Sequence, residues 1–240
     1  TLGITLVFVC LLIGVELFGP WIAERRKGGT PWHAHHITER YGLLTIIALG
    51  EGVIGTVASL SAVVAAQGWS VDAALVALAG VGLTFGMWWT YYVIPAAPLL
   101  HVHRQRSFTF GYLHFLIIIG IVATGAGLHA AAYYIEHHSK LGSVATVLSV
   151  AVPVASYIAA VYLLYMLLVH TRDAFHVLLG VLTAVVLVAS VGLAAAGWSM
   201  PVCLLIVTLA PVVTVVGFEL LGHRHATEAI NRTLSDGTDQ

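Results

Sequence analysis

Charged residues are scarce in this sequence. Only 9% of its 240 residues are Asp, Glu, Lys or Arg, while 59% are hydrophobic; an ordinary soluble domain carries roughly 25% charged residues. So few charged groups cannot cover the surface of a water-soluble globule of this size. The composition therefore excludes a soluble domain and favours a protein whose solvent is lipid.

A basic surface, a cysteine framework and a buried lysine are also missing. The formal net charge is −1, which offers no basic face to a nucleic acid, so no nucleic-acid partner is expected. Cys10 and Cys203 stand singly in apolar runs and form neither a disulfide framework nor a zinc signature. The only lysines, Lys27 and Lys140, lie in predicted loops, which excludes a retinal Schiff base inside a span. None of these patterns indicates a cofactor.

Long apolar runs dominate what is present. A helix needs roughly 20 residues to cross the hydrocarbon core, whereas barrel strands are about ten residues long and alternate in polarity. Because helices satisfy their own backbone in lipid, we predict an all-α fold. It is a polytopic transmembrane bundle of about seven spans, forming one domain over residues 1–240. The first run is short, as if the beginning of that helix had been trimmed. The predicted spans are 2–19, 36–66, 72–94, 107–135, 142–169, 175–196 and 201–222.

Basic residues are divided unevenly between the two sets of alternating loops. One set, with the C-terminal tail, holds eight cations, and the other holds only Lys140. Because cytoplasmic loops carry an excess of Lys and Arg, we predict that the N-terminus lies outside and the C-terminus inside. The eight cations are Arg25, Arg26, Lys27, Arg104, Arg106, Arg172, Arg224 and Arg232.

Several ionisable side chains fall inside the predicted spans. Such groups cost at least a few kcal/mol in lipid, so they usually face a protein interior or water. The predicted orientation brings five of them, from four helices, into the cytoplasmic half, where we expect a polar vestibule with Glu51 at its floor. The alternative for Glu16 and Glu219 is that they reach interfacial water by snorkelling. The five are Glu16, Glu39, Arg40, His114 and Glu219.

The spacing of polar residues in span two supports this interpretation. Arg40 and Glu51 are eleven residues apart, which brings them within about 20° of one helix face. His36, Gly55 and Ser59 extend the same stripe. A stripe of polar and small residues is typical of an interior-facing or cavity-lining surface. Elsewhere, the glycines of span four, among them Gly120, Gly125 and Gly127, are expected to let helices approach closely.

Glu51 is the residue that we expect to matter most. Near the bilayer midplane, desolvation disfavours a charged carboxylate, and Arg40 lies about 16 Å away along the helix. We therefore expect Glu51 to be protonated or to accept a hydrogen bond from another helix, with His114 and Thr208 as candidate donors. A protonated carboxyl that serves only as a contact between helices is the alternative.

Glu39 and Arg40 are neighbours in the chain, and neighbours on a helix point about 100° apart. We therefore expect each to pair with another helix rather than with the other. The candidate partners are His114, Glu16 and Glu219.

Histidine is unusually frequent, with thirteen residues against ten lysines and arginines. His33, His35 and His36 with Glu39 form a cluster, and imidazoles with a carboxylate suit zinc, copper or nickel. The spacing matches no defined motif such as HExxH. We therefore interpret the histidines as interfacial and expect no metal site and no catalytic residue.

The run Glu39-Arg40-Tyr41-Gly42-Leu43, continued by Ala48-Leu49-Gly50-Glu51, resembles the ERxGL…LGE signature of bacterial low temperature requirement A (LtrA) proteins. Trp88-Trp89-x-Tyr91 and Tyr112-Leu113-His114 are similar to weaker motifs of that family. The resemblance implies a multi-pass protein of the bacterial inner membrane, corresponding to the C-terminal part of a longer family member. The signature positions would be Glu39, Arg40, Gly50 and Glu51.

Three functions are compatible with the sequence. A transporter or proton/ion-pathway protein is favoured because of Glu51 and the polar stripe below it. A membrane-embedded enzyme with a His/Glu site is the second hypothesis, and a structural or stress-adaptation protein without transport is the third. The expected partners are the lipid bilayer and a small solute or ion of unknown identity, and a homo-oligomer is left open.

Overall fold

The computed structural model of the protein describes residues 2–27, 31–169 and 174–222, together with Asn231 and Ser235. Within these residues every regular element is helical, and seven helices are long and apolar enough to cross a membrane. The predicted all-α, seven-span architecture is confirmed. The helices are α1 (Leu2–Lys27), α2 (Ala34–Gln67), α3 (Val71–Tyr92), α4 (Ala96–Val102), α5 (Ser107–Ile135), α6 (Ser143–Val169), α7 (Ala174–Ala195) and α8 (Met200–Gly217).

Several boundaries differ from the prediction, and two of these differences have a clear physical cause. Helix α1 passes Pro20 and continues to Lys27, beyond the predicted end at residue 19, because Arg and Lys are good helix formers even where they mark the edge of an apolar run. Helix α3 ends at Tyr92, shortly before Pro95, since the residue before a proline disfavours the helical conformation. The chain then forms the short helix α4, which was not predicted, and a single 3₁₀ turn at Arg104–Arg106.

Helix α5 lies at the centre of the bundle, packed against α2 on one side and α6 on the other. Helix α3 packs on α2 and α8, and α7 packs on α8. The glycines of α5 make these approaches possible: a Cβ added at Gly125 would lie 2.7 Å from the Glu51 backbone, and one at Gly120 would lie 2.8 Å from the Tyr157 Cβ. The close approach that was expected at these glycines is confirmed.

Helix α1 stands at the edge of the bundle. None of its residues in the span Gly3–Glu24 is buried. The Tyr112 hydroxyl of α5 donates a hydrogen bond to the Leu17 carbonyl of α1. Because α1 covers little of its neighbours, space remains between it and the pair α2 and α5.

The orientation in the membrane stays a prediction. Gln105 lies exposed at the end of the bundle where α2 begins, and His138 lies exposed in the loop between α5 and α6. Introduced into a cysteine-free background, Gln105→Cys and His138→Cys are expected to react with an impermeant thiol reagent from opposite sides, Gln105 from the cytoplasm. Labelling of both from one side would contradict the topology. The predicted orientation rests on eight cations, and three of them lie outside the described residues: Arg172, Arg224 and Arg232.

Candidate functional site

The two charged residues of the signature open into different cavities. Glu39 lines a cavity of about 360 Å³ between α2, α3 and α4, which we name the α3 cavity. Arg40 lines a cavity of about 540 Å³ between α1, α2 and α5, which we name the α1 cavity. Both lie at the end of the bundle that carries Arg104 and Arg106, which we name the basic end. Adjacent residues on one helix diverge by about 100°, so α2 separates the two cavities.

The next two signature residues fix α2 against its neighbours. The Tyr41 ring lies against His114, with ring centroids 4.4 Å apart, and meets Phe110 edge-on at 5.5 Å. The carbonyl of Gly42 accepts a hydrogen bond of 2.8 Å from the Tyr92 hydroxyl. The signature therefore combines two residues that face cavities with two that pack the helices together.

His114 is buried on α5 and has both ring nitrogens engaged. Its Nδ1 lies 2.7 Å from the Phe110 carbonyl, which can only accept, so Nδ1 carries the proton. Its Nε2 lies 2.8 Å from the Tyr91 hydroxyl and accepts from it in the neutral ring, which burial favours. Tyr91 in turn lines the α3 cavity. The geometry therefore holds a neutral imidazole one hydrogen bond away from that cavity.

Glu51 is half-buried on α2, beside Gly125 of α5. Gly50 leaves open space next to it, whereas Gly52 packs against the Thr84 side chain. The expectation that His114 or Thr208 donates a hydrogen bond to the Glu51 carboxyl is wrong. His114 is engaged as described above, and the Thr208 hydroxyl donates to the Ala79 carbonyl of α3 at 2.8 Å and to Leu204. Within the described residues no hydrogen bond reaches the Glu51 carboxylate.

The remaining candidates are dispersed. Glu16 lies in the α1 cavity with Arg40, without forming an ion pair with it. Glu219 is exposed on a π-helical turn after α8 and accepts a 3.2 Å hydrogen bond from the Trp89 indole. The expectation of one vestibule is therefore corrected to two cavities and a separate contact between α3 and the end of α8. Likewise, the expected ion pairs of Glu39 and Arg40 with other helices are not formed among the described residues.

The outer part of the stripe on α2, at Gly55 and Ser59, does not line a cavity as expected. Gly55 packs against the Gly125 carbonyl, and the Ser59 hydroxyl donates to the Leu128 carbonyl at 2.7 Å. This half of the stripe is a helix–helix interface, while His36 and Arg40 are exposed. Polar and small residues occur both in cavity walls and in tight helix–helix contacts. Periodicity alone therefore does not tell these two kinds of surface apart.

A histidine that the sequence analysis did not select lies in a third cavity. His176 is buried at the start of α7, and its ring stacks on Tyr165 at 4.7 Å. Nearby, the Tyr162 hydroxyl donates to Thr214 at 3.2 Å. The cavity has a volume of about 30 Å³ accessible to the centres of water molecules, which is room for about two waters. His176 could have been found in the sequence as a single histidine at the start of the sixth predicted span, within an apolar run.

The histidine cluster at the start of α2 is exposed. The ring of His33 lies 5.8 Å from that of His35 and 5.3 Å from that of His36. In the part of the chain that the structure describes, no three His, Cys, Asp or Glu side chains are grouped closely enough to hold a metal ion.

Seven apolar helices, one of which carries a signature that faces two cavities, define a multi-pass integral membrane protein. The chain belongs to the family described as bacterial low temperature requirement A protein (LtrA), whose model matches residues 1–211. No curated protein and no solved structure matches it. The family assignment made from the signature is confirmed.

Proposed function

We propose that the protein is a transporter or proton/ion-pathway protein of the bacterial inner membrane. The observation that carries the proposal is the arrangement around α2. Glu39 and Arg40 open into separate cavities at the basic end. Buried His114 of α5 is hydrogen-bonded to half-buried Tyr91 of α3. Ionisable groups at membrane depth usually mark an ion, proton or solute route.

The α3 cavity supplies the entry to this route. Tyr91 lines the cavity and donates to His114, so a proton reaching the Tyr91 oxygen from the cavity lets the hydroxyl pass its own proton to Nε2. Histidine is suited to such transfer because its charge changes near neutral pH when it is accessible. Glu39, at the wall of the same cavity, attracts cations to its mouth.

Glu51 is the next ionisable group along α2. It lies about 16 Å beyond Arg40 at 1.5 Å per residue, and the buried apolar side chains of Ala48 and Leu49 lie in the interval. A charge does not cross packed apolar side chains unaided. This apolar stretch therefore favours a transporter whose helices move, rather than a permanently open channel.

Glu51→Gln is expected to abolish pH-dependent flux and leave the protein folded, because the amide keeps the shape of the carboxyl but does not bind and release a proton. The measurement is flux of protons, monovalent cations and small anions into proteoliposomes under an imposed gradient. Glu136→Gln, which alters an exposed loop carboxylate beside His138, serves as the control and retains wild-type flux.

A complementary variant decides whether Glu51 acts at all. If Glu51→Leu leaves both protein yield and every flux at wild-type levels, Glu51 is neither a relay nor a contact. If the wild-type protein moves none of these ions or any small solute tried in the same vesicles, the transport proposal itself is wrong.

A further inference from the structure

The α1 cavity holds opposite charges that do not pair with each other. Arg40 of α2 and Glu16 of α1 both line it, together with a second carboxylate of α1, Glu24. No ion pair joins Arg40 to Glu16. We place them at similar depth because the residue after each of them contacts adjacent positions of α5: the Leu17 carbonyl accepts a hydrogen bond from Tyr112, and the Tyr41 hydroxyl lies near Gly111. A cation and an anion on opposite walls, with space between them, complement a ligand that carries both charges.

The walls of this cavity become apolar beyond the charged pair. Leu44 of α2 and Phe108 and Phe115 of α5 line it. Leu44 and Phe115 are also 44% and 54% exposed, so the apolar wall is continuous with the lipid-facing surface. The cavity volume of about 540 Å³ lies within the range of small-molecule sites.

Helix α1 leaves this cavity open towards the bilayer. No residue of its span is buried, so the gap between α1 and the pair α2 and α5 is accessible from the side. At the basic end, Arg104 covers the Trp32 ring at 4.7 Å and donates to the Trp32 carbonyl, and Trp32 lines the cavity. This contact builds the end of the cavity nearest to the membrane surface.

From these features we propose that the α1 cavity binds a single zwitterionic phospholipid with a primary-amine headgroup, phosphatidylethanolamine. Arg40 binds the phosphate, Glu16 binds the ammonium group, and an acyl chain leaves along Leu44 and Phe115. Headgroups of this type lie roughly along the membrane plane, as the similar depth of Arg40 and Glu16 requires. The site is separate from the route through the α3 cavity and does not depend on the transport proposal.

Native mass spectrometry of delipidated protein tests the proposal, with equal amounts of dioleoyl phosphatidylethanolamine, phosphatidylglycerol and phosphatidylcholine as probes. The wild-type protein is expected to retain phosphatidylethanolamine over the other two. Arg40→Gln is expected to lower retention of phosphatidylethanolamine and phosphatidylglycerol alike by about tenfold, since a charged hydrogen-bond partner is removed. Glu16→Gln is expected to reduce the preference over phosphatidylglycerol, because only one of the two carboxylates that line the cavity then repels an anionic headgroup.

The control variant is Glu39→Gln, which removes a carboxylate from the neighbouring residue but faces the other cavity, so lipid retention stays at the wild-type level. Equal retention of all three lipids by the wild type, or wild-type retention by both Arg40→Gln and Glu16→Gln, overturns the proposal. Displacement of the lipid by an equal concentration of soluble glycerophosphoethanolamine also overturns it, in favour of a water-soluble ligand. Because binding is measured without a gradient, its failure and a failure of transport are separate results.

Discussion

Replacing Gly125 by valine is expected to abolish the folded bundle, whereas the same replacement at Gly192 leaves it intact. A Cβ at Gly125 would lie 2.7 Å from the carbonyl carbon, the oxygen and the Cβ of Glu51, and backbone atoms cannot move aside as the end of a side chain can. Overpacking of a core costs about 1–3 kcal/mol even when side chains adjust. Here the two helices themselves must separate, which also displaces Glu51.

Gly192 is the matched control because it lies inside α7 and a Cβ there meets nothing within 4 Å. The change in helix propensity is the same at both sites, so the difference between the variants reports only the contact between α2 and α5. The measurements are the fraction of monodisperse protein after solubilisation and the midpoint of thermal unfolding. Gly125→Ala is expected to fall between the wild type and Gly125→Val. Equal behaviour of the two valine variants would show that α2 and α5 are not packed as described.

The spans and the family could be predicted because both depend on local sequence. An apolar run of about 20 residues has few alternatives to a membrane-spanning helix, and the signature Glu39–Leu43 is contiguous. The glycines of α5 were also recognisable, since small residues in a membrane helix usually mark a close contact. Positions of this kind need no knowledge of which helix lies next to which.

The site was harder because it depends on the neighbours of each helix face. Periodicity placed Arg40 and Glu51 on one face of α2, but it did not indicate that α1 and α5 flank that face near Arg40 while Glu51 lies beside Gly125. His114 is buried within its helix, yet its nitrogens are occupied by the Phe110 carbonyl and by Tyr91. One nitrogen of His114 bonds within its own helix turn and the other bonds to α3. Sequence spacing alone does not reveal these partners, so it could not show that His114 is unable to donate to Glu51.

The hydrogen bond between Tyr91 and His114 gives the second large expected effect. Tyr91→Phe removes the hydroxyl that connects the α3 cavity to the buried imidazole. If this pair transfers protons, pH-dependent flux is expected to fall by about 100-fold, the lower end of what a positioned proton-transfer group contributes. The fold is retained, because one interhelical hydrogen bond in a membrane protein contributes only about 0.6–2 kcal/mol.

Tyr92→Phe is the control that separates transfer from stability. Tyr92 follows Tyr91 on α3, lines the same cavity, and its hydroxyl donates to the Gly42 carbonyl of α2 at 2.8 Å. Its loss therefore costs a comparable interhelical hydrogen bond without touching the imidazole, so we expect similar destabilisation in both variants but near wild-type flux in Tyr92→Phe alone. Flux reduced equally in both variants, in proportion to their loss of stability, would assign the Tyr91–His114 pair to packing. In that case His114 would resemble Thr208 in joining two helices, since the buried Thr208 hydroxyl donates to the Ala79 carbonyl of α3.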